Sequence, residues 1–365
     1  MQFYNPTKTF IETKCVKNHK NDICKIGTRA FIVTGKSSQK NGSLQDICDV
    51  LDQASIPYTV FNDVEENPST ETVYKAAKLG IAFCADFVIG IGGGSPLDAA
   101  KAIAMMIKNP DKDEDVFYNK KEDLAFLPVI TIPTTCGTGA EVTPNAVLTY
   151  HSQKKKGSMP YRSFPELALI DGKYISDAPR QLIINTSIDA LAHAIESYLN
   201  TNSSSFNRMF SKYALESWKQ CKEIINKETR TEEDNLHLML TSTIAGMAIS
   251  HTGTSLPHFF GYDLTYAGYA SHGHACGLFL PSYLRTYEKH NPETVQDIMT
   301  LIGFKDTADF SSYIKANLPE VTITKTVVSS YIEKVSKATS KLQTYPYNID
   351  TKSIEKMYAD ALTII

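Results

Sequence analysis

Several features that would assign the class at a glance are missing from this 365-residue sequence. No apolar run approaches the ~18 residues that a membrane-crossing helix needs. The opening stretch MQFYNPTKTFIETK has no charged segment followed by an apolar one, so it does not read as a secretory signal. No basic block exceeds Lys154-Lys155-Lys156 and the net charge is −3, which leaves nucleic acid or a membrane surface without an electrostatic footprint. The seven cysteines are odd in number, scattered and without a C-x-x-C pair. That argues against a disulfide framework and fits reduced thiols in a cytoplasm. No internal repeat, low-complexity tract or long linker is present. What remains is 42% hydrophobic and 21% charged, an ordinary globular composition with enough apolar mass for sizeable cores. At ~150 residues per domain, the length suggests two domains or three.

The two halves follow different rules. Up to residue 178, short β-branched runs at 30–34, 58–61, 87–91, 129–132 and 167–170 alternate with helical patterns near 43–54, 70–84 and 96–108. Strands alternating with helices imply right-handed crossovers and a mostly parallel, Rossmann-like α/β sheet. FVIGI and VITI are apolar throughout, as strands covered on both faces should be. The arm Phe3–Phe10 reads as an edge strand, where its proline is tolerated. After Asp177-Ala178-Pro179 the strand pattern stops. Helical spacing takes over at 205–226 and 235–250, and the Glu/Lys-rich 227–234 reads as a loop. The expectation is an α/β dinucleotide-binding domain over 1–178 and an all-helical metal- and substrate-binding domain over 179–365, packed directly with a cleft between them.

Directly after the third strand comes Gly92-Gly93-Gly94-Ser95-Pro96-Leu97-Asp98. Three glycines let backbone N–H groups approach a ligand. Ser95 as N-cap, Pro96 in the first turn and Asp98 three residues on resemble a capping box. A helix N-terminus so placed suits a phosphate, although a tight turn without a ligand would look the same. It is not the G-x-G-x-x-G fingerprint. A second loop, Pro133–Thr143, carries Thr134, Thr135 and Thr138, whose hydroxyls suit a ribose or an amide.

Residues 187–196 read SIDALAHAIE. On a helix, Asp189 and His193 share a face, a spacing from which two side chains can hold one ion. Taken alone, the stretch is more simply an exposed ion pair or a hydrogen-bonded core histidine. The nine histidines weigh the other way, because His258 and His272 lie in the apolar, glycine-rich stretch 250–281. A buried histidine needs a partner. Asp189, His193, His258 and His272 would supply four ligands, a set suited to a divalent transition metal.

The blocks NPTK, IGGGSPLDAAKAIA, TIPTTCGTGAEVT, DALAHAIESY, SLPH and HGHACGLFLP occur here in order. With them the chain resembles the iron-dependent (group III) alcohol dehydrogenase family, which includes butanol dehydrogenase, lactaldehyde reductase and propanediol dehydrogenase. The resemblance implies the dehydroquinate synthase-like fold and a metal, Fe²⁺ or Zn²⁺, on Asp189, His193, His258 and His272. It implies hydride transfer between a nicotinamide cofactor and a small primary alcohol or its aldehyde, in a homodimer or larger homo-oligomer paired through residues 1–12. The pyrophosphate then lies on Gly92, Gly93, Gly94 and Ser95, with Asp98, Thr134, Thr135 and Thr138 around the ribose and nicotinamide. Lys155 or Lys156 falls where the family has a lysine near the cofactor, and Asn145 and Ile249 are candidates for the substrate wall. Glu196 is read as structural.

Two departures from the family pattern matter. A second histidine, four residues after the third ligand and associated with proton relay, is here Tyr262. Proton exit then falls to Tyr262, water or ribose hydroxyls. His251 and His274 also depart from the pattern and are read as polar lining. NAD-preferring relatives carry Asp at the end of the first core strand, where this chain has Gly35. Gly35, Ser37, Ser38, Lys36 and Lys40 therefore favour NADP(H) over NAD(H), since no carboxylate repels a 2′-phosphate. A lyase or cyclase of the dehydroquinate synthase type shares the fold. It would need several basic residues to grip an anionic substrate, and the surroundings of His258 and His272 are aromatic instead.

Overall fold

The β-branched runs form strands in the computed structural model, which describes residues 3–365. The strands are β1 (Lys8–Ile11), β2 (Ala30–Thr34), β3 (Tyr58–Phe61), β4 (Phe87–Gly92), β5 (Val129–Pro133), β6 (Val147–Tyr150), β7 (Lys155–Ser158) and β8 (Leu167–Ile170). Six of them make one sheet in the order β1-β8-β5-β4-β2-β3, parallel at every pairing. β6 and β7 stand apart as an antiparallel hairpin, which the lysine-rich sequence around it did not suggest.

The central strands are buried at every residue because helices cover both faces. On one side Ile32, Ile89 and Ile130 pack with Ile47, Val50 and Leu51 of α3 (Ser43–Gln53) and with the short turns α1 (Cys15–Asn18) and α2 (Lys20–Ile23). On the other side Phe31, Val33 and Val88 pack with α4 (Thr70–Ala82) and α5 (Gly94–Lys108). β3 lies on one flank of β2 and β4 on the other, so the chain reverses its direction across the sheet between β2 and β4. In open α/β sheets the ligand crevice opens at the carboxyl ends of strands flanking that reversal. The loops starting at Gly35 and Gly92 are placed there.

The second unit is built from α6 (Arg180–Leu199), α7 (Ser205–Ile225), the last part of α8 (Glu232–Thr252), α9 (Leu256–Tyr266), α10 (His272–Glu288) and further helical segments between Pro292 and Ala361. It also holds a short parallel strand pair, Thr322–Ile323 with Thr363–Ile364, so it is not wholly helical as expected. The division of the chain also differs from two consecutive domains. Residues 229–243 cluster with residues 4–178, whereas Phe3 clusters with 179–228 and 244–365. The expected loop over 227–234 gives way to helix at Glu232, because Thr231 and Asp234 cap each other's backbone N–H groups at 2.9 and 3.1 Å.

Candidate active site

Asp189, His193 and Glu196 all project from α6, in which every residue from Ser187 to Ser197 is buried. α9 contributes His258 and Tyr262, and α10 contributes His272 and Cys276. Gly273 lets α10 lie against α6. A Cβ there would stand 2.0 Å from the Asn185 carbonyl oxygen and 2.9 Å from Asp189 Cβ. The close crossing is what brings the side chains to one point.

Glu196 orients the cluster. Its Oε1 lies 2.6 Å from His258 Nδ1, and its Oε2 accepts from the Ser255 N–H at 2.5 Å. With Nδ1 held by a carboxylate, the ring turns Nε2 inward, the arrangement that fixes imidazoles at metal sites. His258 Nε2 stands 3.3 Å from Asp189 Oδ1, and His272 Nε2 stands 3.9 Å from the same oxygen. Neither Asp189 Oδ1 nor His258 Nε2 has a hydrogen-bond partner. Both residues are no more than 2% exposed. Polar atoms buried without partners are costly unless something else satisfies them.

The charges agree. Burial would raise the Asp189 carboxyl, but the charges of His193 and His272 and the nearness of His258 hold it well below the usual carboxylate range. Burial opposes charge on His258, yet Cys276, Glu196 and the contact with Asp189 raise its pKa well above the ordinary value. The cage favours positive charge at its centre. An ionised carboxylate with imidazoles converging on it fits a divalent transition metal. One ligand atom from each of Asp189, His258, His272 and Cys276 lies within 4.8 Å of the other three. His193 is not one of those four. Its ring stacks on His258 with centroids 4.4 Å apart and planes 22° from parallel. Tyr262 stacks on His272 at 5.7 Å and 18°.

In the first unit, the glycine turn opens the fifteen-residue α5. Gly92 has a φ of +147°, and a Cβ on Gly93 or Gly94 would stand 3.1 or 2.8 Å from the methyls of Thr135 or Thr138. Glycine thus lets the loop after β5 close on the turn, where Thr134 N–H donates to the Gly92 carbonyl at 2.8 Å. No side chain caps the helix, so its first N–H groups are available to an anion.

The chain that carries these two constellations is similar to known proteins over most of its length. Residues 6–172 fit the family model described as iron-containing alcohol dehydrogenase, and residues 183–362 fit that of the Fe-containing alcohol dehydrogenase family, C-terminal. The chain is 30% identical over 282 residues to the NADPH-dependent butanol dehydrogenase of Clostridium saccharobutylicum, covering 76% of this chain and 72% of that one. This chain belongs to the iron-containing alcohol dehydrogenase family. A solved family structure from Thermotoga maritima has 35% identity and a TM-score of 0.92, with 99% of both chains covered. The aldehyde-alcohol dehydrogenase of Streptococcus pneumoniae serotype 4 is 30% identical over 346 residues, which make up 85% of this chain and 38% of that longer protein.

Within this family member, several side chains singled out by sequence have other duties. Ser95 does not cap α5: Gly93 occupies the N-cap, and Ser95 Oγ accepts from the Asn67 N–H at 3.0 Å. Asp98 forms no capping box. Its Oδ2 takes the Val147 N–H at 2.9 Å, and its Oδ1 lies 3.5 Å from the wholly buried Lys101, which donates to the Asn145 carbonyl at 2.8 Å. Ser38 is fully buried, with its hydroxyl on Thr34 Oγ1 and the Gly35 carbonyl at 2.7 and 3.1 Å, and so has none to offer a phosphate. Ser37, Lys36 and Lys40 are exposed. Lys155 is exposed beside the Tyr150 ring, whereas Lys156 reaches Asn67 Oδ1 at 2.6 Å, and its charge is felt at Asp98. Period-2 alternation in the hairpin favours Lys156 over Lys155 as the lysine beside the glycine turn. Ile249 is buried on α8 and Asn145 is half-buried. His251 stacks on Phe3, and His274 is bound to the Pro319 carbonyl at 2.7 Å.

Cys276 is the member of the cluster that sequence reasoning missed. Its signal was the spacing His272–Cys276, the same i,i+4 step as Asp189–His193.

Proposed function

We propose that the chain is a metal-dependent alcohol dehydrogenase or aldehyde reductase that transfers hydride between NADP(H) and a small primary alcohol or its aldehyde. The observation that carries this reading is the buried pair Asp189 Oδ1 and His258 Nε2, 3.3 Å apart with neither satisfied by a hydrogen bond, turned toward His272. Asp189, His193, His258 and His272 hold the ion, and Glu196 keeps His258 in register for it. Fe²⁺ or Zn²⁺ held there supplies Lewis-acid polarisation of an alcohol or carbonyl oxygen. A nicotinamide cofactor supplies the hydride donor or acceptor. The N–H groups at Gly92–Gly94 bind its pyrophosphate, while Thr134, Thr135 and Thr138 border the ribose and nicotinamide, and Lys156 adds positive charge. Tyr262, stacked on His272, relays the alcohol proton at its hydroxyl. Asn145 and Ile249 belong to the substrate wall.

Preference for NADP(H) rests on Gly35 and the exposed Lys36 and Lys40, and it agrees with the name of the Clostridium relative. The active species is a homodimer or larger.

A panel of small aldehydes with NADPH tests the reaction class directly. His272→Ala should abolish turnover and lower bound metal together. Full activity with undiminished metal in that variant would remove the assignment.

A further inference from the structure

We propose that Cys276 is a metal ligand, so that the ion of this chain is held by a thiolate as well as by Asp189 and imidazoles. The proposal rests on the metal site put forward above and gives it a softer donor set.

Three helices present side chains to one point: Asp189 on α6, His258 on α9, and the i,i+4 pair His272 and Cys276 on α10. Cys276 is fully buried, and its Sγ lies 3.8 Å from His272 Nδ1, so the sulfur already faces one of the imidazoles of the cluster. Its ligand atom is within 4.8 Å of those of Asp189, His258 and His272. α9 makes room for the sulfur through Gly261, where a Cβ would stand 3.2 Å from Sγ. Independently of the thiol, the buried and unpartnered Asp189 Oδ1 and His258 Nε2 face the same centre. A buried cysteine in an apolar wall is usually inert packing. Here the wall is a carboxylate and imidazoles, and the thiol's contacts are the rings of His258 and His272. On binding, the S–H proton leaves to solvent and sulfur donates its lone pair to the ion. A thiolate shifts preference toward thiophilic ions such as Zn²⁺ and Co²⁺ and away from Mn²⁺.

The test replaces the native ion with Co²⁺ in the full chain. The wild type should show visible d–d bands together with a near-ultraviolet sulfur-to-cobalt charge-transfer band. Cys276→Ser and Cys276→Ala should keep the d–d bands and lose the charge-transfer band. X-ray absorption of the Zn²⁺-loaded wild type should find one sulfur at ~2.3 Å, a measurement that needs no variant. Zn²⁺ affinity of Cys276→Ser should fall at least the roughly tenfold that loss of even an outer partner costs such a site. A cobalt protein with d–d bands but no charge-transfer band, or a band that survives in Cys276→Ser, overturns the thiolate and leaves the metal site standing. Failure to bind Co²⁺ or Zn²⁺ at all overturns both.

Discussion

Gly35 directly follows β2, the position at which the proposed cofactor's adenosine ribose would be read, and its missing side chain is the cue behind the proposed cofactor choice. A Cβ there would meet the Val64 carbonyl at 3.4 Å and Pro96 Cγ at 3.9 Å, both ordinary contacts, so the backbone tolerates a side chain at this position. The wild type should favour NADPH in kcat/KM, and Gly35→Asp should reverse the order. One charge-assisted contact contributes about 1.5–3 kcal/mol, or roughly one to two decades. Equal or better use of NADH by the wild type would show that the loop does not read the phosphate. With Ser38 committed to its own turn, the preference falls on Lys36, Ser37 and Lys40, a less fixed set than an arginine fork. At this scale, the spacing in the sequence pointed to Asp189, His258 and His272, which the structure brings together, and to His193, which stacks on His258 outside that group. The i,i+4 step from His272 to Cys276 was there to be read as well, but a single cysteine among apolar residues reads first as core. Ser38 is held by Thr34 and Gly35 of its own turn, and Lys155 lies over Tyr150 in its own hairpin, turns whose geometry the sequence pattern did not specify.

Packing between α6 and α10 holds the cluster together, and Gly273 sets how closely they cross. Gly273→Ala would drive a methyl into the Asn185 backbone carbonyl, and backbone cannot swing aside as a side chain does. Overpacking of this kind costs about 3 kcal/mol. Thermal unfolding should begin well below the wild-type midpoint, and bound metal should fall with it as Asp189 moves from His272. An unchanged midpoint would mean that the helices do not cross so closely. The central strands of the sheet were readable because buried parallel strands are largely apolar, and the flanking β1 and β3, which are mostly not buried, by their β-branched and aromatic residues. The β6–β7 hairpin was not, being short, with a second strand that is half lysine. Nor was the true start of α5. Ser95 and Asp98 spell a capping box, but Asn67 and Val147, brought in from elsewhere, claim both side chains.

For the molecule as a whole, β1 is an edge strand, paired to β8 of its own chain from Lys8↔Leu167 to Ile11↔Ile170. The arm expected to pair across a dimer interface thus uses one side of Lys8–Ile11 within its own sheet, and residues 1 and 2 of that arm lie outside the described residues. The other side of β1 has no strand against it among the described residues, and such an edge is a template for a second chain. Light scattering at micromolar concentration should give at least a dimer, and a monomer would refute it. Among the described residues, no helix is long and apolar enough to cross a membrane. The return of residues 229–243 to the first unit has a consequence for anyone who would recombine this protein with its relatives. Arg230 donates to the carbonyls of Ile175, Ser176 and Ala178, and Thr243 supplies the hydroxyl that meets the buried Glu141 carboxylate at 2.7 Å. A chimera joined at residue 178 would inherit its sheet from one parent and the plug that seals it from another. The workable grafts carry both pieces from the same parent, so heredity in this fold travels in two separated passages of the gene.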